Sequence, residues 1–122
     1  MKVSLLISLI FVTLFGISSA ASNKEEYELS EKCGKRAEEL FKGKFENSVI
    51  QYNYQSHYNK KMNKCFMYVF SMNLNALYDV NENKEYGMII FEKGNVDRCR
   101  MLNKSCKSED EWDSFVKSYM EE

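Results

Sequence analysis

The chain has 122 residues, a formal net charge of −1, 44% apolar and 14% aromatic side chains, no Pro, five Gly and four Cys. That composition excludes a multidomain enzyme, a collagen-like chain, a disordered tail and a binder of nucleic acid driven by positive charge. What remains is one packed domain small enough to benefit from covalent staples.

In chain order, residues 1–20 have the form of a secretory signal peptide. Lys2 opens it, a 13-residue apolar run follows over 5–17, and Ser18-Ser19-Ala20 supplies the small residues of a cleavage site. The run is too short to span a bilayer, which takes roughly 20 residues. A single domain over 21–122 is expected to leave the cytosol, secreted or periplasmic, with no stable membrane span after cleavage.

Over 24–42 the apolar residues Leu29, Cys33, Ala37, Leu40 and Phe41 recur at helical spacing, opposite the charged Glu28, Glu31, Lys35, Glu38 and Glu39. Gly34 interrupts this helix and suggests close packing beside Cys33, and Gly43 is a stop signal. Over 49–58 the period changes to two, with Ile50, Tyr52, Tyr54 and Tyr58 alternating against polar residues, the pattern of a half-buried strand. A second strand is expected from Phe66, with Tyr68, Phe70, Met72 and Leu74 on one face, continuing as far as Tyr78. A third runs over 86–91, a short fourth over 96–101, and 102–107 forms a loop. Ser108 followed by Glu111 matches a capping box, so a helix begins at Glu109 and carries Trp112, Phe115, Val116, Tyr119 and Met120 as an apolar stripe. The expected fold is α+β: an antiparallel sheet of three to four strands with an N-terminal and a C-terminal helix on one face. No internal repeat, linker or low-complexity segment stands out.

Cys33, Cys65, Cys99 and Cys106 form an even set behind an export signal, the pattern of two disulfides rather than catalytic thiols. Zinc is disfavoured because no Cys-x2-Cys pair occurs and His57 is the single His. Four Cys allow three pairings. The favoured one joins Cys99 to Cys106 in a local loop and Cys33 to Cys65, tying the first helix to the sheet.

The densest polar and aromatic stretch is 56–66, so the candidate binding residues are His57, Tyr58, Lys60, Lys61 and Lys64. His57 has the side chain suited to general-base work. With no nucleophile placed beside it, it reads first as a polar strand residue. The lysines, with Lys35 and Arg36, could form a cationic rim for phosphate or carboxylate groups; a solvated hairpin tip explains them better. The aromatic residues of the two strands read as core before they read as a stacking surface. Asp79, Glu82 and Glu85 lack the spacing of a calcium loop. Asn103-Lys104-Ser105 has the form of a glycosylation sequon, which matters only in a eukaryotic host. No phosphate loop, metalloprotease helix or nucleophile elbow occurs, so neither a cofactor nor a catalytic residue is implied.

The segments Glu31-Lys32-Cys33-Gly34-Lys35-Arg36-Ala37-Glu38 and His57-Tyr58-Asn59-Lys60-Lys61-Met62-Asn63-Lys64-Cys65-Phe66 resemble small exported bacterial proteins of unknown function. The resemblance implies export, a bacterial source and a pairing role for Cys33 and Cys65, and no activity. The expectation is a non-catalytic binding or interaction module for an unknown protein or small molecule. The alternatives are a small hydrolase using His57 and an envelope-associated structural protein.

Overall fold

The computed structural model describes residues 18–121, so the expected signal peptide lies outside the described residues except for Ser18, Ser19 and Ala20, which open the first helix. Helix α1 spans Ser18–Phe45, longer at both ends than its periodicity indicates. At 1.5 Å per residue its length is about 42 Å, nearly twice that of a seven-residue strand. Only its C-terminal half therefore lies on the sheet. Cys33 and Ala37 are buried there, and Tyr27, nearer the N-terminus, is exposed.

Six strands follow: β1 (Asn53–Asn59), β2 (Lys64–Phe70), β3 (Leu74–Asp79), β4 (Lys84–Glu92), β5 (Asn95–Met101) and β6 (Lys104–Ser105). They form one antiparallel meander in sequence order, closed by helix α2 (Glu109–Met120). The count exceeds the three to four strands expected for two local reasons. The run from Phe66 to Tyr78 is not one strand, because Ser71 folds it back. Its Oγ accepts from the N–H groups of Asn73 (3.3 Å) and Leu74 (3.0 Å), and its own N–H donates to the Leu74 carbonyl (2.9 Å). A serine that satisfies the backbone of its neighbours makes a turn without Gly or Pro. The expected loop over 102–107 also contains β6, which pairs Ser105 with Arg100 and Lys104 with Met101. At the start of the sheet, strand pairing begins at Asn53 rather than at Val49, and Val49 and Ile50 are exposed.

The two helices do not share a face of the sheet, contrary to expectation. Cys65, Met67 and Val69 of β2 pack with α1, together with Cys33, Ala37, Phe41 and Tyr54. Phe66 of β2, Leu77 and Ile89 pack with Trp112 and Val116 of α2, and Tyr68 lies against them. The cause is that β2 is apolar at both parities, so each of its faces needs a cover. The disulfide pairing is the favoured one. Cys33–Cys65 joins α1 to β2 with Cα atoms 5.3 Å apart, and Cys99–Cys106 closes the end of the sheet with Cα atoms 5.0 Å apart. All four sulfurs are paired in these two bridges.

Hairpins β1–β2 and β3–β4 turn by the same device, a repeat hidden within dissimilar sequence. Asn59 and Asp79 end their strands, and each Oδ1 accepts from the N–H three residues on: Met62 at 2.9 Å and Glu82 at 3.1 Å. Each turn then ends on an Asn in the left-handed region, Asn63 at φ 52° and Asn83 at φ 51°, followed by Lys64 or Lys84. Asn is the residue besides Gly that tolerates this conformation at least cost.

Candidate functional site

The five residues singled out in the β1–β2 hairpin separate onto different surfaces. His57 stands opposite Phe66, half-buried on the α2 side, whereas Tyr58 stands opposite Cys65 on the α1 side and donates its hydroxyl proton to Asn63 Oδ1. Lys60, in the turn, reaches Glu26 of α1 (3.3 Å), and Lys61 is exposed beside it. Lys64 Nζ lies 3.0 Å from Asp79 Oδ2, 3.3 Å from the Tyr86 hydroxyl and 3.6 Å from Glu82. The charges of Lys60 and Lys64 are thus met by acids of the same chain. Lys35 pairs with Glu31 (3.5 Å) along α1.

The Lys64, Asp79 and Tyr86 cluster is a clamp across β2, β3 and β4. Asp79 is fully buried and accepts from the Glu82 N–H, Lys64 and the Tyr86 hydroxyl, the last at 3.0 Å. Burial alone would raise its carboxyl pKa. The three donors outweigh burial and hold it below the ordinary value of 3.8. The hydrogen bond to Asp79, reinforced by that to Tyr86, holds the Lys64 ammonium well above its ordinary range. A carboxyl with a lowered folded value contributes stability that is whole above about pH 4 and is lost as pH falls through the folded value, because the unfolded chain takes up the proton first. Asp79→Asn is therefore expected to flatten the acid limb of stability against pH, read as the urea midpoint from neutrality downward. Parallel acid limbs in variant and parent would show that Asp79 is not the linked group.

On the other side of the α2 face the structure forms a groove that the sequence did not mark. It lies between α2 and the β5–β6 turn and has a volume of about 820 Å³, within the range of ligand sites. Met101, Leu102, Phe115 and Tyr119 give it an apolar lining. Asn103 and Lys104 stand on the turn side, and Asp110, Glu111 and Ser114 on the helix side. Phe115 and Tyr119 are held edge to face with ring centroids 5.1 Å apart, and Tyr119 also meets Tyr86 at 5.5 Å, so this wall is preformed.

Both lips of the groove are fixed covalently or by capping. The Cys99–Cys106 bridge closes the turn side. Ser108 caps α2 as expected, its Oγ accepting from the Glu111 N–H at 3.2 Å. The Glu111 carboxylate reaches back to the Lys107 N–H (3.1 Å) rather than to that of Ser108, one residue further than the capping box implies. Leu102, at φ 54°, sits in the left-handed region with its side chain exposed, and its N–H donates to the Tyr86 carbonyl at 2.7 Å. A branched apolar side chain in that conformation is an outlier. The only sequence signal for it was an apolar residue in a loop between two Cys. The sequon residue Asn103 is exposed at the tip of the same turn.

No family model, curated protein or solved structure matches this chain.

Proposed function

We propose that this chain is an exported, non-catalytic binding module, held by two disulfides, that engages its ligand through the groove between α2 and the β5–β6 turn. The two bridges support an oxidising compartment, since such pairs persist outside the cytosol. No described helix is long and apolar enough to cross a membrane. The observation that carries the binding reading is Leu102. A leucine held at positive φ costs on the order of 1 kcal/mol relative to Gly, and its side chain is spent on the groove wall rather than in the core. The two-residue β5–β6 hairpin calls for positive φ at this place, as the β4–β5 hairpin does at Lys93; what singles Leu102 out is an apolar side chain kept exposed on the groove wall.

Leu102→Gly is thus expected to keep or raise thermal stability while weakening occupancy of the groove. Fluorescence enhancement of the neutral apolar dye Nile red, titrated against parent and variant, reads that occupancy. Equal enhancement in both proteins, or none in the parent, would overturn the assignment of the groove. Turnover of an ester, peptide and glycan panel that disappears in His57→Ala would instead establish the hydrolase alternative.

A further inference from the structure

Resting on the groove as the binding site, we infer that its occupant is a short extended peptide segment that sets an apolar side chain on the groove floor and a basic side chain against the helix lip. At about 820 Å³ the groove has room for more than one side chain. Around it, the side chains of Asn103, Lys104, Asp110 and Ser114 make no hydrogen bond or ion pair with any described residue. An amide, an ammonium, a carboxylate and a hydroxyl together provide donors and acceptors for the main chain of a peptide, which a purely apolar ligand would leave unused.

Charge decides the second part of the inference. Of the acids Glu109, Asp110 and Glu111 in the first turn of α2, the last two face the groove, whereas Asp113 faces Gln55 and Tyr68 on the other side of the helix. Asp110 and Glu111 line the groove, opposed by the single cation Lys104. The helix lip is therefore net acidic, and the complementary ligand presents a cation there. Occupants bearing an acid at that point meet like charge.

Three synthetic probes test this by chemical-shift titration at low salt: acetyl-Leu-Phe-Lys amide, acetyl-Leu-Phe-Glu amide and acetyl-Gly-Gly-Lys amide. The first is expected to bind about fivefold tighter than the second, to shift Leu102, Phe115 and Tyr119, and to lose its advantage as salt rises. The third is expected to bind weakest, for want of an anchor. Asp110→Lys, checked for an unchanged amide spectrum elsewhere, is expected to remove or reverse the preference for Lys over Glu. Equal binding of the Lys and Glu probes, or a preference untouched by Asp110→Lys, would overturn the basic-peptide inference while leaving the groove as a binding site. Absence of shifts at the groove with any probe, together with no Nile red enhancement, would remove both.

Discussion

Removing the bridge between α1 and β2 by the double substitution Cys33→Ala and Cys65→Ala is expected to lower the unfolding free energy by about 4 kcal/mol. The bond closes a chain separation of 32 residues, and in the chain-entropy view a long closed loop deprives the unfolded ensemble of more freedom than a short one. The Cys99–Cys106 bridge, with a separation of 7, is expected to contribute about 2.5 kcal/mol on the same basis. The larger loss is also concentrated, because Cys33 and Cys65 are both buried in the α1-side core beside Met67 and Val69. Urea unfolding of the double variant should show α1 detaching from the sheet, with Trp112 fluorescence on the opposite face changing last. A double variant as stable as the parent would mean that apolar packing alone holds α1 in place.

Gly87→Ala is expected to cost about 3 kcal/mol, a large share of the stability of a domain of this size. A methyl at this position would lie 2.6 Å from the Arg100 carbonyl oxygen and 3.0 Å from both the Phe115 and Trp112 rings. The carbonyl belongs to the neighbouring strand and cannot yield without loosening the β4–β5 ladder. The rings belong to the helix that the sheet carries. Gly87 is thus the place where α2 comes close enough to bury Trp112, whose indole N–H donates to the Tyr68 hydroxyl at 3.2 Å. Gly34→Ala provides the contrast. The nearest atom to a Cβ there is Ser56 Oγ at 3.9 Å, so Gly34 does not mark a tight approach. Within a helix that substitution is expected to gain about 1 kcal/mol. Urea midpoints of the two variants should move in opposite directions. Similar shifts for both would show that close packing against Gly87 does not decide how α2 docks.

The two helices were legible because their apolar residues keep a 3.6-residue period and because Ser108 announces the second start. The pairing of the Cys was favoured rather than fixed in the sequence, where the spacing leaves three pairings open; the structure forms Cys33–Cys65 and Cys99–Cys106. The number of strands was not, since the turn at Ser71 is made by a side chain satisfying nearby backbone rather than by Gly or Pro. The placement of the helices was half legible. Cys65 stands out of phase with Phe66, so a bridge from α1 to Cys65 puts α1 on the face away from Phe66. Taking Phe66 and Tyr68 as the only apolar face of β2 overlooked Met67 and Val69. The role of the buried acid Asp79 was not legible, because its partners Lys64 and Tyr86 stand 15 and 7 residues away and meet it only across the sheet. The groove depends on the line along which α2 crosses β5, and no local pattern encodes a crossing line. His57 and the lysines stood out in sequence by residue type alone, and folding distributes them over separate surfaces.

The most direct measurement is a non-reducing peptide map of the protein recovered from outside the cytosol of its host. Two cross-linked peptide pairs are expected, one containing Cys33 with Cys65 and the other Cys99 with Cys106, and no thiol open to alkylation before reduction. Recovery only from the cytosol, with four alkylated cysteines, would contradict an exported scaffold held by two bridges and would leave the groove without the closed turn that shapes its rim.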